Sequence, residues 1–344
     1  MKEQKDMSEL SRRKSDHIDL AFESQLAGVG SDTRFYYEPM LGNPENINLS
    51  LRFLNYDFSY PVWVSSMTGG AEKAKVINTN LAKLCNKYNL GMGLGSCRQL
   101  LDDSDKYIDD FDVRKIIGDR PLYANLGIAQ VENLVDNNQF SKINELLKSL
   151  QADGLIVHIN PFQEFVQPEG DKITNRPIDI LTKLLDKVDL KIIVKEVGQG
   201  FGPESLRYLM QLPLEAIEFG AFGGTNFTKL ELLRNTSEFA FQFAPLINIG
   251  HRTEEMVDFV NEIKKSSDQN DNCNNFIISG GIKSFLDGYY CIEKIQAPAI
   301  YGMASEFLKF ALQGYEKLEM YFEAHVRGLQ MAKAYLKIKN IQGA

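Results

Sequence analysis

The sequence predicts an α/β fold: a (β/α)8 TIM barrel preceded by an N-terminal helical arm. Three observations lead there. Eight short apolar runs recur along the chain, amphipathic helical patterns separate most of them, and polar or glycine residues gather at the C-terminal end of each run. The runs are 61–65, 90–94, 122–125, 155–159, 192–195, 216–219, 276–279 and 299–301. The helical patterns include 73–88, 130–150, 178–188 and 284–295. A doubly wound open sheet remains the alternative, because counting strands does not show closure. One further apolar run, 244–249, is surplus and is placed in an insertion after the sixth strand. The polar stretch 264–275 reads as an exposed insertion before the seventh. On this reading residues 1–60 form an arm and cap, 61–310 the barrel, and 311–344 a C-terminal helical segment within one domain. Residues 306–338 read as one or two helices packing the barrel or a neighbouring subunit.

Composition narrows the class of function. The 344 residues are 44% hydrophobic, enough for a large core. A net charge of −8 argues against a general nucleic-acid surface but leaves local phosphate binding open. The cysteines at 85, 97, 273 and 291 form no Cys-x-x-Cys pair and no zinc spacing. With no signal peptide and no apolar run of about 20 residues, the expectation is a cytoplasmic protein without a membrane segment.

The strand ends carry the chemistry. In a barrel all eight meet on one face, where active sites lie. They read Met67-Thr-Gly-Gly70, Gly95-Ser-Cys-Arg98, Asn125-Leu-Gly127, His158 to Glu164, Lys195-Glu196, Gly223-Gly-Thr-Asn226, Ser279-Gly-Gly281 and Gly302-Met-Ala304. The glycines after strands seven and eight let backbone N–H groups approach a phosphate, with helices expected to open directly behind them. Thr68, Ser96 and Asn125 offer hydrogen bonds from adjacent strands, and Thr225 and Asn226 a reach to a phosphate or a ribityl hydroxyl. Capping of backbone groups is the competing role for each. Lys195 offers positive charge to the edge of a reduced flavin, or a salt bridge to Glu196. His158 and Asn160 are expected to share a face, with Gln163 and Glu164 in the loop beyond. Glu164 offers a hard oxygen for Mg²⁺, completed by a substrate diphosphate. Arg98 suits a bidentate grip on a diphosphate or a surface ion pair. Cys97 reads as a buried filler, and His251 and His325 as structural or solvent-facing. Arg13, Lys14 and His17, three and four apart, fall on one face of a polar helix.

Taken together these residues resemble the type 2, FMN-dependent isopentenyl-diphosphate isomerases over about residues 13–310. The markers are Arg13-Lys14 with His17, Ser66-Met-Thr-Gly-Gly70, Gly95-Ser-x-Arg98, Asn125-Leu-Gly127, His158-x-Asn-x-x-Gln-Glu164, Pro168-Glu-Gly-Asp171, Lys195-Glu-Val-Gly198, Gly224-Thr225, Ser279-Gly-Gly281 and Gly302-x-Ala304. The resemblance implies FMN at the C-terminal face of a barrel, reduced by NAD(P)H, and Mg²⁺ binding with substrate. It implies FMN contacts from Met67, Thr68, Gly69, Ser96, Asn125, Lys195, Thr225, Gly280, Gly281, Met303 and Ala304. Arg13, Lys14, His17, Arg98, His158, Asn160 and Gln163 would hold the substrate, and Glu164 the metal. Gln163, His158 and Glu231 are the candidates for proton movement. A homo-oligomer, tetramer or octamer, is also implied. Three departures stand out: Cys97 replaces a usual Gln, Phe227 a frequent Trp, and Ile249-Gly-His-Arg-Thr253 diverges.

The implied reaction interconverts isopentenyl and dimethylallyl diphosphate by adding one proton and removing another, with no net electron change. The alternative is an FMN-dependent 2-hydroxy-acid dehydrogenase or oxidase of the glycolate-oxidase type. That reading needs a His near strand six or seven, where 218–226 has none and His251 is the nearest. A degenerate flavin-binding scaffold is the non-enzymatic reading, against which His158, Gln163 and Glu164 stand.

Overall fold

The computed structural model describes residues 9–66, 73–266 and 271–339. Its centre is a closed barrel of eight parallel strands. In chain order they are β1 Val62–Val64, β2 Gly91–Gly93, β3 Leu122–Gly127, β4 Gly154–Ile159, β5 Ile192–Glu196, β6 Ala216–Glu218, β7 Phe276–Ser279 and β8 Ala299–Met303. Each strand pairs with the next, and β8 pairs with β1 through Gly302 against Trp63, so the sheet has no edge. All eight apolar runs of the sequence become strands, and the open-sheet alternative is excluded.

Period-2 alternation sorts the strand residues between two cores. Val62, Val64, Leu122, Ala124, Leu155, Val157, Ile192 and Val194 face the surrounding helices. Trp63, Tyr123, Ile156, Ile193, Ala216, Ile277 and Ile300 fill the interior. The hairpin Leu51–Phe53 and Tyr56–Phe58 closes the floor by packing Phe53, Leu54 and Phe58 onto that interior group. Its turn puts Leu54 and Asn55 at φ 50° and 63°. Asn tolerates this conformation, whereas Leu54 costs about 1–2 kcal/mol. Burying its side chain offsets that by about 2 kcal/mol.

One inward position further along, the interior turns polar. Ser65, Asn125, His158, Lys195, Glu218 and Ser279 each lie two residues beyond an apolar interior residue. The barrel is therefore dry at the floor and polar at the C-terminal mouth, which places the site.

Several elements differ in detail from the sequence reading. The helix expected over 130–150 breaks into Ile128–Asp136 and Phe140–Leu150, with Asn138 at φ 52° between them. Asn adopts this conformation at less cost than most residues, so Asn137-Asn138 is the punctuation. The surplus run becomes the 3-10 segment Ala240–Asn248, within the insertion after β6. Helices Ser305–Ala311 and Tyr315–Tyr335 follow β8, and strand Leu336–Ile338 pairs antiparallel with Phe35–Tyr37, tying the end of the chain to its beginning. His325, on the long helix, accepts or donates a 2.7 Å hydrogen bond with Tyr301 behind the barrel wall. Burial holds its imidazole down to about 4. No helix among the described residues is long and apolar enough to cross a membrane.

Candidate active site

The mouth has two walls. Along β6, β7 and β8 a cleft of about 430 Å³ is bounded largely by backbone: Gly223 and Gly224, Gly280 and Gly281, and Gly302 to Ser305. Gly280 and Gly281 have φ of +89° and +71°. A Cβ on Gly280 would stand 2.1 Å from the Ala221 carbonyl oxygen. A Cβ on Gly224 would stand 3.1 Å from the Gly281 nitrogen, so the two glycine turns pack backbone on backbone. The helices do not open where the sequence reading placed them. Gly280 and Gly281 form the turn, and the next helix, Phe285–Lys294, starts beyond its cap Ser284. Gly302 and Met303 are still in β8; only Ala304 caps a helix, Ser305–Ala311.

Ser65, Ser66 and Lys195 border the same cleft. The hydroxyls of Ser65 and Ser66 are buried without a hydrogen-bond partner. Lys195 is buried and donates to the Glu196 carbonyl oxygen at 2.8 Å. The expected alternative, a salt bridge to the Glu196 carboxylate, is not formed. That carboxylate instead accepts from the N–H groups of Gly198, Gln199 and Gly200 at 2.6–2.8 Å, with burial pushing it up to about 7. Glycine turns, two orphaned hydroxyls and one ammonium are a set of groups that would fit a flavin mononucleotide.

The other wall, along β2 to β5, is built from side chains. Asn125 donates from Nδ2 to the Leu94 carbonyl at 3.0 Å, leaving its Oδ1 2.8 Å from Nδ1 of His158. That orientation makes His158 the donor at Nδ1 and leaves a lone pair on Nε2. Desolvation, with the Lys195 charge second, holds His158 neutral, down to about 3. Next to it Asn160 caps the helix Pro161–Val166, so Gln163 and Glu164 lie on a helix and not in a loop. Pro161 at the first helical position explains the immediate start. Asn160 Nδ2 donates to Gln163 Oε1 at 3.2 Å and Glu164 Oε1 at 3.0 Å. Gln163 therefore presents its amide nitrogen outward. Glu164 Oε2 accepts from the Asp171 N–H at 2.7 Å.

Asp171 joins this group to β3. Gln130 accepts the Gly127 N–H at 2.9 Å and donates to Asp171 at 2.8 Å, and Arg98 pairs with Asp171 at 2.7 Å. Gly127 has no room for a side chain, because a Cβ would lie 2.4 Å from Gln130 Oε1 and 2.9 Å from His158 Nε2. Arg98, Asn160, Gln163 and Glu164 thus belong to one hydrogen-bonded group through Asp171, and Asn125 and His158 form a separate pair beside it. Gln130 and Asp171, which complete it, had no assigned role in the sequence reading. The available signal was the acidic turn Pro168-Glu-Gly-Asp171.

Other candidates are placed less centrally. Met67, Thr68 and Gly69 lie outside the described residues. Ser96 is exposed; Thr225 is exposed at the cleft, and Met303 and Ala304 line it. Asn226 caps the helix Phe227–Arg234 by accepting from the Lys229 N–H. Glu231, on that helix, is buried and paired with Arg234, which also reaches Glu169 at 2.6 Å. Arg13, Lys14 and His17 do share the helix Glu9–Asp19, but all three are exposed and none lines the cleft. Cys97 is buried, with its thiol pushed up to about 12 by desolvation. His251 stacks edge-on to Phe259 and does not line the cleft. Its loop is nevertheless ordered by Gln199, which donates to the Leu246 and Ile249 carbonyls.

An isopentenyl-diphosphate delta-isomerase from Rickettsia africae (strain ESF-5) is 33% identical over 305 residues, covering 87% of this chain and 85% of that one. The chain belongs to the isopentenyl-diphosphate delta-isomerase family. Relatives of the same name from Rickettsia rickettsii (strain Sheila Smith) and Rickettsia bellii (strain RML369-C) are 34% and 32% identical over 306 residues, each covering 87% of this chain and 85% and 86% of theirs. As a member of that family the chain is an isomerase. No protein-family model matches it. Among solved structures, a flavocytochrome b2 mutant with benzoylformate superimposes with a TM-score of 0.58 at 13% identity, covering 87% of this chain and 70% of that one. A mandelate oxidase mutant with a monooxide FMN adduct gives 0.52 at 11%, covering 89% and 88%. The likeness to these solved structures is one of fold and extends no further than that.

Proposed function

We propose that the protein is the type 2 enzyme of its family, interconverting isopentenyl and dimethylallyl diphosphate with reduced FMN, NAD(P)H as the reductant and Mg²⁺. The observation that carries this reading is the adjacency of the two walls: a glycine-bounded cleft that fits FMN, and the Asn125–His158 pair beside the Asn160–Gln163–Glu164 cluster at the same barrel mouth. Reduced FMN, when bound, supplies a ring nitrogen able to give and take a proton. The protein's own residues do the rest.

Lys195 stabilises negative charge at the flavin edge. Gly280, Gly281, Thr225 and Ala304 hold the phosphate end, and Met67, Thr68, Gly69 and Ser96 complete the flavin contacts. His158 takes a proton on Nε2 as the diphosphate enters, turning a lone pair into a charge-assisted donor. Gln163 directs its free N–H groups at the substrate. Arg98, with Arg13, Lys14 and His17 of the arm, neutralises the diphosphate.

Glu164 fits a metal only in part. Each of its oxygens accepts one protein hydrogen bond and keeps a further lone pair. The described residues hold no cluster of three or more metal-binding side chains. Mg²⁺ here would take one oxygen from Glu164 and the remainder from diphosphate and water, its usual habit. An alkene is a weak base, so proton delivery requires a dry and preorganised site. The apolar barrel interior below the mouth provides it. Glu231 is proposed to assist proton movement, its carboxylate held in place by the pair with Arg234. A homo-oligomer in the cytoplasm completes the proposal.

The test is anaerobic incubation with FMN, catalytic NADPH, Mg²⁺ and isopentenyl diphosphate. Many turnovers to dimethylallyl diphosphate without matching NADPH loss are expected. Stoichiometric NADPH use, or no product, would reject the reading. The oxidase alternative has no support in the site, since no histidine lines the cleft.

A further inference from the structure

Glu218 is the residue at the barrel mouth that the proposed reaction does not use. It is the last residue of β6, two positions beyond Ala216 of the apolar interior, so its side chain takes the same inward direction. It is 0% exposed, and neither carboxylate oxygen has a hydrogen-bond partner. Burying a carboxylate in this way costs several kcal/mol. An apolar side chain such as those of Ile193 and Ile277 would avoid that cost.

Its register neighbour on β5 is Lys195. Side chains paired across adjacent strands start about 5 Å apart. The other inward side chains at the mouth are Ser65, Asn125, neutral His158 and Ser279, none of which carries charge. Glu196, the last residue of β5, is held by three N–H groups of the turn that follows. Lys195 and Glu218 are therefore the two opposite charges carried by the inward strand positions at the mouth among the described residues.

We infer that Glu218 is the counter-charge of Lys195 and sets how strongly the cleft prefers reduced over oxidised FMN. This rests on the proposed FMN site. Lys195 alone would favour the negative charge that reduction places on the flavin. Glu218 opposes it from beneath and moderates the preference. At an effective dielectric of about 20, a unit charge about 10 Å away changes such a preference by roughly tenfold. Glu218 is thus a positioning residue of the electrostatic kind, acting on the cofactor without touching the substrate.

The experiment measures dissociation constants for oxidised FMN and, anaerobically, for reduced FMN. The proteins are wild type, Glu218→Gln, Lys195→Met and the double variant. Glu218→Gln should raise the ratio of reduced to oxidised affinity about tenfold, which is about 30 mV for a two-electron couple. Lys195→Met should lower it, and the double variant should return near wild type. A ratio unchanged in Glu218→Gln would overturn the inference and leave the FMN site standing. Failure of the wild type to bind FMN in either state would reject the FMN site itself, and this inference with it. If Glu218→Gln does not fold, Glu218→Leu, suited to the apolar interior, carries the same comparison.

Discussion

Along β6 to β8 the mouth is lined by main chain; along β2 to β5 it is lined by side chains. The first wall gets its shape from glycines at positive φ, so much of what it offers a ligand is main chain, which neither titrates nor changes rotamer. The second gets its shape from two side-chain groups, an amide–imidazole pair and an amide–carboxylate cluster, whose members orient one another. The difference assigns labour. A backbone wall suits an unchanging anion, such as the phosphate of a resident cofactor. A side-chain wall can change protonation and adapt, which suits a substrate that enters, reacts and leaves.

The largest effect should come from placing a side chain in the backbone wall. Gly280→Ala forces an L-residue to φ +89° and drives a Cβ to 2.1 Å from the Ala221 carbonyl oxygen. We expect a loss of about 3 kcal/mol or more in unfolding free energy and loss of FMN uptake. Thermal melts and flavin absorbance check both, and a stable, flavin-loaded variant would show that the wall is softer than drawn.

Breaking the other wall should leave the flavin in place. Gln163→Ala should retain FMN while turnover falls about 100-fold, the low end for a group positioned for proton movement. Near-normal turnover would remove Gln163 from the chemistry. Glu164→Gln should raise the Mg²⁺ concentration for half-maximal activity about tenfold. Unchanged Mg²⁺ dependence would count against Glu164 as ligand.

The most gradual effect, small at each step, is in pH. His158 is held down to about 3, below its ordinary value near 6.5. Below pH 6.5 the unfolded chain binds a proton that the folded one refuses. Stability therefore falls as pH drops from 6.5 toward 3, by about 1 kcal/mol per pH unit given partial exposure of the ring. His158→Gln should flatten that slope, as read from denaturant unfolding across pH 4–7. The backbone wall offers no such group, so Gly280→Ala should leave the slope as it is.

Much of this was legible in the chain, and the reasons are local. Continuous apolar runs marked the strands, because a strand buried on both faces is apolar at successive positions until it leaves the core. Glycines and polar residues marked the mouth, because loops and turns need them. Other features were not local. Gln163 and Glu164 read as loop, since a helix of six residues carries too little periodicity to announce itself. Asp171 looked like part of a turn, and only the fold brings it to Gln130 and Arg98. Glu218 sat unnoticed inside an apolar run, although a carboxylate there was itself a signal. The arm was read correctly as one basic helix face, yet that face stays exposed.

The sequence by itself determined which segments are strands, which ends are polar, and which family the chain resembles, because alternation and turn chemistry are written residue by residue. The tertiary structure alone decided closure, the division of the mouth into two walls, and the partners of His158, Lys195 and Glu218. Those depend on register between strands distant in sequence. In a closed barrel that register is set by the packing of the whole interior rather than by any one segment.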